Sequence, residues 1–570
     1  MRPKEIVYLS FGSTANHVAT HFWNTQQTYF DYSPHAPPPI VEHDVSFKAG
    51  LGTDGLDTYT PRTLLFDVRE EFGALARINA LYEESSEDAF DGETLETVPR
   101  VQPSAMADAL TAPATATKHE GPPRYWSDFA QTPYHPKSLL HVAAPSLYGH
   151  SFLSSMGTDS LNPTFDTFAQ GVRVAKAMED EQQVMEDTLR WWAEDSDLLQ
   201  GFQMTTSSSD AFAGFSHTYL QYVADEYPKS ERHVALLGRA YEAKYQPYVT
   251  MNNILSLVHF YEQASMLVPI RMSGPTTDFL RPDWNSMYEN SAVLAALFES
   301  ATLPLRLAHR SHSMVDMRAQ LVWRGDSRLV QLGGCIPTPL LADVRASTSV
   351  DHLIDAMFAA RGLKMEALAT PPSSSTDKLG PVWWDASRSF GRLYMPSTED
   401  ATAMAVPYAE TMVARDADAM AEKPTLDAMQ AWQKDLKEPL ISSHFVPLAF
   451  PTTPPYPSFW YGLTRDGRPW PRPHEREKLG VVESVPCMAS LRSSPDSLDM
   501  ILEARQCIVQ ILQGHEPLAT YGLTDFMDRD GLLEVREALE SMSNAYGGVP
   551  DDQAEPGTDE EWEDDDEWDL

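Results

Sequence analysis

Residues 199–229, LQGFQMTTSSSDAFAGFSHTYLQYVADEYPK, decide how the chain is read. Gly201 to Met204 is a short apolar run, and Thr205 to Phe215 is a polar turn. Tyr219, Leu220, Tyr222 and Val223 then open a helical apolar face. Strand, loop and helix in that order is how α/β proteins hold phosphate, because free N–H groups and the helix dipole point at the ligand. This loop carries Asp210, Phe212 and Phe215 where close approach of backbone to an anion favours glycine. The stretch has the frame of a phosphate site with the wrong lining.

The chain has 570 residues, enough for several domains with sizeable cores. Hydrophobic content of 42% and 13 Trp indicate a folded protein. A net charge of −39 argues against a nucleic-acid backbone as partner, since neutralising phosphates takes clustered Lys and Arg. Three cysteines, Cys335, Cys487 and Cys507, exclude a disulfide scaffold and give no zinc spacing, so a reducing compartment is expected. The longest apolar runs, such as Ala292 to Phe298, fall short of the roughly 20 residues a bilayer requires. The N-terminus lacks the Arg-rich character of a transit peptide.

Along the chain, Glu5–Phe11 reads as a buried strand followed by a Gly12–His17 turn and a helix through Trp23. Tyr59–Asp67 is a second strand, with Pro61 at its start. Residues 84–123, rich in Ser, Glu, Ala, Thr and Pro, read as a mobile insertion. Phe165–Trp192 is a long helix and His233–Leu237 a strand. Met251–Met266 and Trp284–Leu303 are helices, the latter apolar all round at SAVLAALF and therefore buried between layers. Ala319–Trp323, Leu329–Leu332 and Arg388–Met395 are expected strands, with a helix at Val350–Ala360 and a loop at 370–378. The Pro-rich run 446–473 holds little regular structure. Ser497–Leu512 is a helix, and Leu532, Val535, Leu539, Met542 and Tyr546 mark a last one, with Gly547 placed as its C-terminal glycine. Residues 551–570 carry twelve acids and no base and read as a solvated, disordered tail.

The order of these elements, together with particular words, resembles tubulin along nearly the whole chain. EIVYLSFGSTANHVATHFW (5–23) resembles the tubulin opening, YTPRTLLFD (59–67) its third nucleotide loop, and LQGFQ…DEYP its phosphate site. Gln246 to Leu257 resembles the fifth loop and following helix, and DWNSMYENSAVLAALF (283–298) the central core helix. SVPCMASLRS (484–493), the final helix and the acidic tail resemble the tubulin C-terminal part. Closer still, LSFGSTANHVATHFWNTQ, the YHPKSLLHV block and GFQ…DEYPK resemble the Misato family, the tubulin-related group whose fungal members are mitochondrial DNA inheritance proteins.

The resemblance implies a tubulin/FtsZ-like α/β fold. A Rossmann-like nucleotide-type domain spans 1–282, the core helix 283–305, an intermediate α+β domain 306–445, a C-terminal helical region 446–550 and the tail 551–570. It also implies a role in partitioning mitochondria and their DNA, exerted on the cytosolic face of mitochondria and in the cytoplasm. The implied partners are cytoskeletal, chaperonin or mitochondrial outer-surface proteins, with at most peripheral membrane association and no direct nucleic-acid binding.

Vestigial nucleotide-pocket positions carried over by the resemblance are Gly12, Asn16, Asp67, Asp210 and Asn285. Ala15 stands where tubulins have glycine, and Arg69 and Glu70 follow Asp67 where a magnesium-holding acid is expected. Asp210 beside phosphate oxygens at ~4 Å would repel by about 4 kcal/mol at an effective dielectric near 20, roughly three powers of ten in affinity. The loop after the core helix, Pro304 to Ser313, has no acid at the positions that orient hydrolytic water in tubulins. General-base assistance on the order of 100- to 10,000-fold is absent with it.

The expectation is a protein that is not an enzyme and needs no cofactor or metal. The alternatives are a GTP-binding, polymer-forming GTPase and a tubulin-folding or spindle accessory factor. His309 and His312, one helical turn apart, lack a third metal ligand. Gly149–Leu153 begins like a nucleophile elbow but ends in Leu, and Trp191-Trp192 reads as helix packing.

Overall fold

The computed structural model describes residues 4–31, 33, 38–51, 57–73, 123–142, 165–182, 185–239, 247–309, 312–338, 383–393, 405–435, 440–468, 470, 479–514, 516–523 and 526–547. The expected insertion up to residue 122, the Gly149–Leu153 motif, the helix at 350–360, the loop at 370–378 and the acidic tail lie outside them.

Strand β1 (Ile6–Phe11) runs into helix α1 (Ser13–Gln27), and the hairpin β2 (Phe47–Leu51) and β3 (Asp57–Pro61) leads to β4 (Thr63–Val68). There follow β5 (Leu139–Val142), α2 (Phe168–Gln182), the short α3 (Arg190–Glu194), β6 (Gly201–Ser207) and α4 (Phe212–Glu226). β7 (Glu231–Gly238), α5 (Pro247–Gln263) and β8 (Met266–Arg271) come next. The sheet is six-stranded in the order β5-β4-β1-β6-β7-β8, with every pairing parallel.

Side chains alternate across a strand, so β1 feeds two cores. Ile6 and Tyr8 pack with α1, whereas Val7, Leu9 and Phe11 pack with α2, α4 and α5. A parallel sheet covered on both faces explains why these strands read as unbroken apolar runs.

The buried helix α6 (Met287–Thr302) and the short α7 (Met314–Leu321) lead to β9 (Gln331–Cys335), β10 (Trp384–Asp385) and β11 (Ala409–Arg415). Then come α8 (Glu422–Asp435), β12 (Leu440–Val446), the pair β13 (Phe450–Pro451) and β14 (Ser484–Val485), and β15 (Cys487–Ser493). Helices α9 (Ser497–Gln513) and α10 (Arg529–Ala545) close the order. β10-β9-β15-β11-β12 form a second, mixed sheet. α6 touches α1 on one side and β9, β11 and β15 on the other. α9 and α10 join the core on the α2, α4 and α5 face of the first sheet. Gly547 follows α10 with a φ of 82°, as expected for its C-terminal glycine.

Several expected elements differ. Tyr59–Asp67 is two strands: β3 ends at Pro61, and Arg62 turns inward to donate to Asp195 Oδ2 at 2.6 Å before β4 begins. Ala319–Trp323 is not a strand. Ser313 and Asp316 form a capping box that starts α7, which runs through Leu321. Arg388–Leu393 is a 3₁₀ turn rather than a strand, held where Asp385 Oδ1 accepts the N–H groups of Ser387 and Arg388. β6 reaches Ser207, so the loop before α4 shrinks to Ser208–Ala211. The long helix expected over 165–192 divides into α2, a π-helical turn at Met185–Leu189 and α3.

A buried charge cluster locks α6 in place. Glu299, Arg306 and Arg415 are all completely buried. Glu299 Oε1 accepts from Gln26 Nε2 of α1 at 2.9 Å and from Arg306 at 3.3 Å, and Oε2 accepts from Arg415 Nη1 of β11 at 2.5 Å. Arg415 also donates to Tyr29 Oη, Ser300 Oγ and the Leu448 carbonyl. Removing one member of such a group leaves an uncompensated buried charge. Glu299→Gln should therefore lower unfolding free energy by about 3–5 kcal/mol in a denaturant titration. A loss under about 1 kcal/mol would show that the cluster does not hold α6.

Candidate functional site

The C-terminal ends of β1, β4 and β6 converge where doubly wound sheets bind ligands. Gly12 caps β1 with a φ of 86°, a conformation that favours glycine. Its N–H donates to the Phe66 carbonyl at 2.9 Å. Asn16, buried on the first turn of α1, accepts from Ser10 Oγ at 2.7 Å and donates Nδ2 to Phe66 O at 3.0 Å and to Asp67 Oδ2 at 2.9 Å.

Asp67 is itself fully buried. Trp126 Nε1 donates to its Oδ2 at 3.0 Å, and the Val68 N–H donates to its Oδ1 at 2.9 Å. Burial pushes its pKa well above the carboxylate range, against the pull of the Asn16 bond. Both carboxyl oxygens serve internal donors.

The β6–α4 loop closes over this corner. Asp210 accepts from Ser207 Oγ at 2.6 Å and from the Phe212 N–H at 3.0 Å. A first-turn donor of α4, the kind a phosphate would otherwise take, is held by the chain's own carboxyl. The Phe212 ring lies against Gly12, so close that a Cβ on Gly12 would stand 2.6 Å from its Cδ2. Phe165 packs edge-on to Phe212 with centroids 5.2 Å apart. Ser208 and Ser209 donate to Asn253 Oδ1 of α5 at 2.6 and 3.0 Å.

Gly214, the one glycine left in the loop-to-helix segment, serves packing. A Cβ there would lie 1.9 Å from the Phe168 carbonyl oxygen, and one on Gly171 would lie 1.8 Å from that of Ala211. α2 and α4 cross backbone to backbone at these two glycines.

The structure thus brings Gly12, Asn16, Asp67 and Asp210 to one corner. Asn285 stands apart in character: it is exposed ahead of α6, with its N–H on Asp283 Oδ1. The buried asparagine nearby is Asn290, whose Nδ2 donates to the carbonyls of Met272 and Trp284. Sequence reasoning missed His17 and Glu71. His17 Nδ1 lies 2.7 Å from the Ser13 carbonyl, its Nε2 is buried without a partner, and burial lowers its pKa to about 4. Glu71 accepts from Ser13 Oγ at 3.1 Å. His17 follows Asn16 directly, which is the only sequence signal for it.

Beyond α6, Arg306 of the Pro304–Ser313 loop belongs to the Glu299 cluster, and Asp316 caps α7 through Ser313. His309 is exposed, and His312 packs edge-on to His444. Among the described residues, no group of three or more His, Cys, Asp or Glu is placed to hold a metal, and no helix is long and apolar enough to cross a membrane.

A family model for the Misato segment II tubulin-like domain matches residues 4–113, and a tubulin domain model matches residues 115–307. The chain is 31% identical over 350 residues to protein dml-1 of Neurospora crassa, covering 58% of this chain and 62% of that one. It is 34% identical over 316 residues to protein dml1 of Aspergillus clavatus, covering 53% and 60%. Human protein misato homolog 1 aligns at 25% identity over 605 residues, covering 96% of this chain and 98% of its own length. The matched region thus spans about three fifths of these fungal relatives.

Burial raises the Asp210 pKa to about 6, opposed by its bonds from Ser207 and Phe212. A carboxyl that holds its proton more tightly when folded stabilises most below its unfolded pKa, and that stability is lost as pH rises through the folded value. Relative to Asp210→Asn, the wild-type chain should lose up to about 3 kcal/mol between pH 4 and pH 7, at about 1.4 kcal/mol per pKa unit. Parallel urea titrations of the two proteins would read the difference. A flat difference across that range would show that Asp210 is solvated.

Proposed function

This chain belongs to the Misato family of tubulin-related proteins, and from that premise we propose that it is a non-catalytic member acting in mitochondrial partitioning and mitochondrial DNA inheritance through protein contacts. Its fold is of the tubulin/FtsZ-like α/β class. The observation that carries the non-catalytic reading is Phe212 lying on Gly12 while Asp210 takes a first-turn N–H of α4. These residues do not fit a nucleoside triphosphate: phosphate oxygens would meet a ring and a carboxyl where they need N–H donors. Asp67, engaged at both oxygens, offers magnesium little. The mitochondrial role rests on the family and on relatives that carry the dml1 and misato names. Attachment to the cytosolic face of mitochondria would be peripheral, through protein partners such as cytoskeletal, chaperonin or outer-surface proteins.

Titrating purified chain against a fluorescent GTP analogue with magnesium should show no saturable binding below about 1 mM, a binding free energy no better than about −4 kcal/mol. A micromolar dissociation constant, or GTP-stimulated assembly, would overturn the reading. Asp210→Gly alone should not restore binding, because Phe212 still covers Gly12.

In cells lacking the endogenous protein, Asp210→Asn and Phe212→Leu chains should restore mitochondrial DNA retention as well as the wild type does. If variants that fold at this corner fail to rescue, the corner has a chemical role and the scaffold reading falls.

A further inference from the structure

The end of the first sheet opposite the Gly12 corner carries a cluster that the proposed function does not use. Trp191 of α3 has Lys48 Nζ of β2 4.2 Å and Lys137 Nζ 4.8 Å from its ring centroid, and the His135 ring stacks on it at 4.8 Å. Lys48 and Arg62 share one carboxylate: Asp195 Oδ1 accepts from Lys48 at 2.5 Å and Oδ2 from Arg62 Nη1 at 2.6 Å. Arg62 is nearly buried, and its Nε has no hydrogen-bond partner. Lys137 is exposed, and its ammonium makes neither hydrogen bond nor ion pair among the described residues.

Two cations therefore share one anion, and a third, Lys137, lies over the same Trp191 ring, in a chain whose formal charge is −39. The local excess falls on Lys137 and on the outer side of Lys48. His135 registers the same field, since burial and the two lysines lower its pKa to about 4.

We propose that the acidic segment 551–570 of this chain docks on the cluster around Trp191, with its carboxylates facing Lys137 and Lys48. Charge complementarity is the first argument: the segment has twelve acids and no base. Reach is the second. Arg62 precedes β4 and Asp195 precedes β6, so the cluster lies at the N-terminal end of the strands. α10 finishes at that same end, where the Tyr546 hydroxyl accepts from the Leu329 N–H and Leu329 bridges to Leu267 near the start of β8. Four strand spacings separate β8 from β4, roughly 20 Å across the sheet. The chain from 548 to 559 can span up to about 40 Å. The densest acidic run, 559–569, is therefore within contour length of Trp191 in one molecule.

Zero-length carbodiimide coupling on the full chain tests this, because it joins an amine to a carboxylate only when they touch. An equal mixture of isotopically light and heavy protein, digested and read by mass spectrometry, separates links within one chain from links between two. At low salt, Lys137 and Lys48 should couple to residues 551–570 of the same chain. The links should vanish in 1 M salt, where the Debye length is about 3 Å. Lys137→Glu should lower the remaining yield at Lys48 about tenfold, and reversal of the exposed Lys229 should leave it unchanged. Links at Lys137 found only between light and heavy chains would make a second copy the occupant and overturn the proposal. Links spread evenly over exposed lysines, Lys229 included, or no links to 551–570, would also overturn it.

Discussion

The junction between the two sheets depends on a carboxylate that cannot reach water. Glu299 sits in the last turn of a helix buried on all sides and draws one group from each surrounding layer: Gln26 from α1, Arg306 from the turn after α6, and Arg415 from the second sheet. Desolvating three charges is expensive, and a well-packed apolar substitute is often as stable. What the cluster adds is definition. An apolar helix can slide or rotate between two apolar layers at little energetic cost, whereas Glu299 meets both guanidinium groups in only one register. Tyr29 fits the same logic. Burial raises its pKa, which keeps the hydroxyl protonated beside Arg415.

With α6 placed, the strand ends of the first sheet form the corner in which tubulin-type folds carry nucleotide. Here the corner is built as interior. The Phe212 ring takes the space in front of Gly12, Asp210 takes a helix N–H, and the remaining glycine of the loop brings two helices into backbone contact. Ring, carboxyl and glycine each make a packing or capping contact here, so the frame persists with Asp67 and Asp210 served by internal donors while His17 Nε2 stays buried without a partner.

The fold was legible in particular residues. The largely apolar run Glu5–Phe11 marked a buried strand, and the structure divides it between two cores, Ile6 and Tyr8 on one face and Val7, Leu9 and Phe11 on the other. SAVLAALF marked a helix with no wet side, and Gly547 marked the end of the last helix. The misreadings share one cause. Ala319–Trp323 and Arg388–Met395 look like strands by composition, but side-chain bonds from Ser313, Asp316 and Asp385 make helix through Leu321 and a 3₁₀ turn over Arg388–Leu393. Short-range apolar content is a weak signal against a cap that supplies backbone partners.

At the candidate site the division is sharper. The sequence by itself determined that the phosphate frame is present and that its lining is foreign, because strand, loop and helix follow from local pattern and Asp210 and Phe212 are visibly not glycine. Only the tertiary structure decided what those residues do. Whether a carboxyl at position 210 faces a pocket or caps its own helix depends on Ser207 and the start of α4. Where the Phe212 ring goes depends on the crossing of α2 over α4 at Gly171 and Gly214. The Asp210 bonds are local, but the glycine crossing joins segments about forty residues apart, so no local period encodes where the ring goes, and close packing then leaves a single arrangement.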